Sequence, residues 1–182
     1  MGIALPLGSR SSMNKHIKEI TLLALATSIL FVQELMFSFI PNIQLTTFLI
    51  LVYTSVFGLK KTYMIIIVHV FIDNLLFGSL GMLNIWIPMA LAWLLIATIF
   101  SLIRKKTDSI LTLALSAYFF GHIYGLMFVP FQAWLIEIDI ILYLLADIPW
   151  QIIMGIANFL AVIWLYKPIE DFLNELYNKY VE

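Results

Sequence analysis

The sequence predicts an all-α integral membrane protein, a bundle of six transmembrane helices with both termini in the cytoplasm. Three observations predict it. The 182-residue chain is 63% hydrophobic and only 12% charged, with a mean hydropathy of +1.01. A soluble domain of this size holds roughly 45–50% apolar and about 25% charged residues. Six long apolar segments divide the chain, at about 17–39, 44–59, 62–78, 82–103, 109–130 and 141–166. All ten Lys and Arg residues lie before the first segment, after the last, or at every second junction between. Basic loops stay in the cytoplasm, so this alternation gives an even number of crossings and orients each of them.

Arg10, Lys15 and Lys18 precede span one, which Pro41 and Asn42 terminate. Lys60 and Lys61 separate spans two and three. Both spans are short for a ~30 Å hydrocarbon core crossed at 1.5 Å per residue, which predicts tilt or a partly sunken outer loop. Gly78 and Gly81 bracket the second outer loop and predict a tight helical hairpin into span four. Arg104, Lys105 and Lys106 separate spans four and five, and Pro130 is expected to end span five. The third outer connection, from about Phe131 to Ile140, is the longest and carries Gln132, Trp134, Glu137 and Asp139. After Pro168 the tail IEDFLNELYNKYVE has a helical rhythm. Ile169, Phe172, Leu173, Leu176 and Tyr180 form one apolar face suited to the cytoplasmic interface. Residues 1–12 (MGIALPLGSRSS) differ in character from the rest, and Met13 followed by NKHIKEI reads as a natural start. That leaves 1–12 as an appended sequence or a native flexible terminus, and 13–182 as a single membrane domain.

Composition also excludes functions. With no cysteine there is no disulfide, thiolate metal site or cysteine nucleophile. A formal net charge of −1 provides no global basic field for nucleic acid. No small-residue cleavage site follows the first segment, so a cleavable signal peptide is not expected. There is no phosphate loop, HExxH, GxSxG or dinucleotide fingerprint. The chain is not expected to be an enzyme, to hydrolyse ATP or to hold a metal.

Ionisable groups inside a membrane are costly and mark function by default. Glu34 follows Gln33 near the outer end of span one. His69 and Asp73 share a face of span three, four residues apart, with Asn74 next to them. His122 lies on span five, flanked by Tyr118 and Tyr124. Asp147 and Gln151 share a face of span six, with Trp150 and Asn158. At 1.5 Å per residue, Glu34 lies about 25 Å from the cytoplasmic end of its span, Asp73 about 17 Å and His122 about 20 Å. Asp147 is about 9 Å from the outer end of its own. The polar groups therefore gather in the outer half, which predicts a cavity facing outward. His69 with Asp73 is equally a helix-packing pair, and Gln33 and Asn158 read as interhelical hydrogen bonds. Trp86, Trp134 and Trp150 double as interfacial belt aromatics. In the cytoplasmic half, Ala24 and Ser28 form a small-xxx-small pair on span one, with Ala26 between them, that lets a helix approach closely.

With six spans in a chain of this length, this small-residue pair, the PNIQLTTF entry to span two, the FGLKKTYMIIIVHVFIDNLLFG stretch and the PWQIIMGIANFLAVIWLYKPI final span, the chain resembles the S-components of energy-coupling factor (ECF) vitamin transporters over essentially residues 13–170. The resemblance implies a multi-pass subunit of a bacterial cell membrane that captures a vitamin at the outer face and reorients in the membrane. It implies a transmembrane T-component as partner and two cytoplasmic ATPase subunits as the energy source. The family's Ala-xxx-Ala contact for the T-component maps onto Ala24 and Ser28, with Ala26 beside them, and Ser28 keeps a small side chain. Ligand capture by helices four to six and the first outer loop directs attention to Asn42, Gln44, Asn84, Trp86, His122, Tyr124, Gln132, Trp134, Asp147 and Gln151.

No cofactor is expected to be bound permanently; the vitamin is the transported ligand. With Lys and Arg confined to the cytoplasmic rim, a carboxylate-rich vitamin such as folate is disfavoured. Amides, aromatic rings and carboxylates suit cobalamin, which the resemblance places first, or a cation such as thiamin; riboflavin, pantothenate and pyrimidine precursors stay open. The rival class is a haem-binding or redox membrane subunit with His69 and His122 as axial ligands.

Overall fold

The computed structural model describes residues 7–181, with side chains from residue 15 onward. The terminal stretch read as 1–12 lies outside the described residues as far as residue 6, and Leu7 opens the first helix. Six helices follow in order: α1 Leu7–Phe37, α2 Thr46–Phe57, α3 Leu59–Leu76, α4 Leu83–Arg104, α5 Ile110–Leu135 and α6 Ile140–Val181. There is no strand among the described residues. Four helices, α1, α4, α5 and α6, are long and apolar enough to cross a membrane. Large apolar side chains such as Leu25, Ile67, Phe71, Phe119, Ile141 and Trp164 cover the outside of the bundle. Polar groups such as Gln33, Thr46, His69, Asp73, Gln151 and Asn158 are buried within it. A soluble bundle has the reverse distribution, and lipid as the solvent accounts for this one.

The helices are not arranged as six equivalent staves. Five of them close a ring in which α1 touches α3, α3 touches α4, α4 touches α5, α5 touches α6 and α6 returns to α1. The short helix α2 fills the middle and touches all five. The residues explain why it can. TTFLILVYTSVF is apolar or small on every side, so no face of it needs water. Ten of its 12 residues are buried. Most of its hydroxyls are satisfied locally or by neighbours, while Thr47 Oγ1 is buried without a hydrogen-bond partner. Thr54 donates to the Ile50 carbonyl at 2.7 Å, and Tyr53 donates to the Ala26 carbonyl of α1 at 3.0 Å. At 1.5 Å per residue α2 spans about 18 Å. Its shortness, read from sequence as a need for tilt, is met by enclosure.

Turn chemistry fixes the ends. Gly58, with φ 79° and ψ 161°, reverses the chain between α2 and α3 in a conformation that side chains disfavour. Gly78 (φ 73°) caps α3, where Ser79 N–H donates back to the Asn74 carbonyl at 2.8 Å. Ser79 Oγ also donates to Asn74 Oδ1 at 2.7 Å, which secures the expected hairpin into α4. Pro130 does not end α5, which continues to Leu135. Neighbouring helices replace what a proline removes from a membrane helix. Asp139 Oδ1 accepts from the N–H groups of Ile141 and Leu142, at 2.9 and 3.0 Å, and starts α6. Helix α6 runs 42 residues straight through Pro149 and Pro168. The tail after Pro168 is therefore its last turns, and Ile169, Leu173 and Tyr177 pack against the main core.

Candidate functional site

Two clusters of polar side chains occupy opposite ends of the bundle. The first lies where the basic residues gather. Lys61 of α3 is paired with Glu19 of α1 and with the hydroxyl of Tyr177 on α6. Arg104 of α4 meets Glu170 of α6 at 3.2 Å. Tyr166 donates to the same Glu170 carboxylate at 3.0 Å and meets Ser55 at 2.5 Å. Glu19 and Glu170 each have a cation and a hydroxyl at hand, so the cluster ties helices together.

The second cluster surrounds a cavity at the other end. It has two adjoining lobes, of about 210 and 240 Å³, that share Asn42 and Tyr124 on their walls. The first lobe lies between α5 and α6. Its polar wall is Gln132, Asp147 and Gln151, and its aromatic wall is Tyr124, Phe128, Tyr143 and Trp150. The second lobe lies under the α1–α2 loop and is lined by Glu34, Ser38 and Gln44 together with apolar loop residues. Asn42 stands in that loop with φ 58°, a left-handed conformation that Asn tolerates better than most residues.

Close helix packing positions the first lobe. A Cβ on Gly121 would stand 2.7 Å from the Gly155 backbone nitrogen, and one on Gly155 would stand 2.8 Å from the Tyr118 carbonyl oxygen. Helices α5 and α6 approach this closely because both positions are glycine. A Cβ on Gly125 would strike the Gln151 side chain at 2.6 Å, so Gly125 makes the room in which Gln151 lies. Gln151 is 5% exposed. Its amide nitrogen donates to Asp147 Oδ2 at 2.8 Å, and its oxygen meets His122 Nδ1 at 3.2 Å. With the amide nitrogen committed to Asp147, the oxygen is an acceptor and His122 carries its proton on Nδ1. Tyr118 packs edge-on against the His122 ring. The floor is braced by Trp93, fully buried, whose ring lies 4.4 Å from that of Tyr124.

Behind the second lobe lies a buried polar network. Thr46 Oγ1 donates to Glu34 Oε1 at 2.5 Å, and Gln33 Nε2 donates to Thr46 Oγ1 at 2.7 Å. Gln33 Oε1 accepts the Leu45 N–H at 2.7 Å, which ties the loop to α1. His69 Nε2 lies 3.4 Å from Glu34 Oε1, an electrostatic contact in which neither ring nitrogen completes a hydrogen bond. Asp73 shares the His69 face of α3, and its Oδ1 has no hydrogen-bond partner. Helical spacing pairs His69 with Asp73; the structure adds Glu34, which only the contact of α1 with α3 could supply.

Of the residues singled out from sequence, Asn42, Tyr124, Gln132, Asp147 and Gln151 line the first lobe, and Gln44 lines the second. His122 stands one hydrogen bond behind Gln151. Asn84, Trp86 and Trp134 stand apart from it. Asn84 Nδ2 and Trp86 Nε1 are buried without hydrogen-bond partners. Trp86 faces an apolar cleft with Ile67 and Phe71 of α3, and Trp134 is 76% exposed beyond the cavity. Ala24 and Ser28 are exposed on the outside of α1, and Ala26 turns inward, 4% exposed. Sequence reading missed Gly121, Gly125, Phe128 and Tyr143. The G-x-x-x-G spacing of Gly121 and Gly125 was a readable sign of the close seam. Among the described residues no group of three or more His, Asp or Glu side chains is placed to hold a metal ion. Compared with family models, curated proteins and solved structures, the chain matches none.

Proposed function

We propose that the chain is the membrane-embedded substrate-binding subunit of an ECF-type vitamin importer in a bacterial cell membrane. In this reading six crossings place both termini and every basic residue in the cytoplasm, so the cavity opens outward. The single observation that carries the reading is the separation of the two polar ends. One end holds a cavity lined by polar and aromatic side chains, and the other holds ion pairs and hydroxyl contacts that tie helices together. A channel needs polar groups through its full depth; a capture subunit that is moved by others does not. The chain binds and reorients, and a transmembrane T-component with two cytoplasmic ATPase subunits supplies the drive. Ala24 and Ser28, exposed on α1 with small side chains, are the surface offered to the T-component.

Cavity size bears on the vitamin. Lobes of about 210 and 240 Å³ are each below the roughly 300–1,000 Å³ of small-molecule sites, and only the two together fall within that range. A vitamin of one to three rings fits them as they stand, and cobalamin, first from the sequence, requires the α1–α2 loop to move aside. The haem alternative gains no support from His69 and His122, which belong to different clusters and contact Glu34 and Gln151.

Mass spectrometry of small molecules released from gently purified protein tests the function, and a vitamin at near-stoichiometric yield is the expected result. A Soret band and no vitamin would replace this reading with the haem one. Single cysteines at Ser79 and Glu137 should label from outside intact cells, and one at Lys105 should not. Labelling of Lys105 alone would reverse the topology and with it the outward cavity.

A further inference from the structure

The charge of the ligand can be read from the cavity wall, on the reading of this cavity as the capture site. No Lys or Arg lines either lobe. Two carboxylates do, Asp147 in the first and Glu34 in the second. Their circumstances differ. Glu34 has Thr46 and His69 at hand. Asp147 has only the uncharged Gln151 amide, whose oxygen is already occupied by His122. His122 is not on the wall and reaches Asp147 only through that amide. Behind Glu34, buried Asp73 adds a second carboxylate with an unpartnered oxygen. Buried or half-buried at the cavity end are therefore three carboxylates, Glu34, Asp73 and Asp147, against two histidines, where isolated charge is costly. Asp147 also shares its lobe with Tyr124, Phe128, Tyr143 and Trp150. Aromatic faces around a carboxylate attract a cation through the ring quadrupole and repel an anion.

We infer that the cavity takes an organic cation, its quaternary or ring-delocalised charge seated among Tyr143, Trp150 and Phe128 beside Asp147. The amides of Asn42, Gln132 and Gln151 orient the uncharged remainder. Glu34, at the far lobe, receives a second donor such as an amino group.

The test is equilibrium titration of the purified chain in lipid nanodiscs with probes matched in shape and differing in charge. Thiamin is paired with its neutral 3-deaza analogue, and choline with 3,3-dimethylbutan-1-ol. Neutral riboflavin and anionic pantothenate complete the set. The expected result is that at least one cation binds about 30-fold tighter than its neutral match. Asp147→Asn should lower that ratio about 10-fold, leaving the part that the aromatic faces supply. Trp150→Leu, which keeps both carboxylates, should lower the ratio by a smaller factor and shows that the effect does not rest on one variant. Monodisperse elution of each variant checks folding. Tight binding of riboflavin or pantothenate with no cation preference overturns the charge assignment and leaves the capture reading standing. A cation preference unchanged in Asp147→Asn overturns the seat assigned here. Binding of none of the six probes, with no vitamin released on extraction, overturns both.

Discussion

The two polar ends of the bundle are built from similar residues and do opposite things. At the basic end Glu170 is 4% exposed and is met by Arg104, Lys167 and the Tyr166 hydroxyl. At the cavity end Asp147 is half-buried and is met by one amide. Buried charge is tolerated when its partners surround it; the Asp147 carboxylate has one amide and otherwise faces the cavity. The difference also appears in the backbone. The basic end is tied by long side chains that reach across helices. The cavity end is shaped by glycines that bring backbones together and leave room for Gln151.

The largest effect should come from the seam. Gly121→Ala places a Cβ 2.7 Å from a backbone nitrogen that cannot move alone. It should cost about 2–3 kcal/mol and lower the thermal midpoint in detergent by several degrees. An unchanged midpoint would mean that α5 and α6 separate freely, and the cavity would lose its rigid wall. Glu170→Ala comes next. It takes one partner from Tyr166, which keeps Ser55, and one from Arg104, which keeps Asp108 and is 29% exposed, so the cost should be about 1–2 kcal/mol rather than that of breaking a fully buried pair. Ligand affinity should not change; a parallel loss would show that the two ends are coupled. Gly125→Ala should affect both. It pushes on a Gln151 side chain that Asp147 and His122 hold in place, so stability should fall by about 1–2 kcal/mol while ligand affinity drops about 10-fold, measured by titration. Lys167→Ala should give no detectable change in thermal midpoint, since the Lys167–Asp171 pair is more than half exposed on both sides.

Helix existence was legible because apolar run length is a local property. The expected span at 82–103 and the observed α4, Leu83–Arg104, differ by one residue at each end. Pro130 misled at the end of α5, because a proline stops a helix in water, where no neighbour compensates. The site was legible residue by residue and not as a shape. Asp147 and Gln151 share a face by spacing alone, and so do His69 and Asp73. No spacing rule brings Glu34 to His69, or Asn42 to Tyr124, since those meetings depend on which helices are neighbours. Trp86 and Trp134 have the composition of a ligand site and stand apart from the two lobes, and an indole near the surface of a membrane bundle is equally at home against lipid.

The enclosed helix α2 sets the order in which the protein can be made. A ribosome delivers α1 first and α6 last. For most of that interval Thr46–Phe57, too short to bridge the hydrocarbon alone, has only part of its surroundings. Its walls are complete when α6 arrives, bringing Tyr166 to Ser55 and Tyr177 to Lys61. Until then the Ser55 hydroxyl lacks Tyr166, and the face of α2 that α6 covers must be sheltered by the insertion machinery or by the partly assembled ring. A nascent chain stalled before α6 should therefore remain a client of membrane chaperones and be degraded, although every segment it contains except α2 and α3 could enter the bilayer unaided.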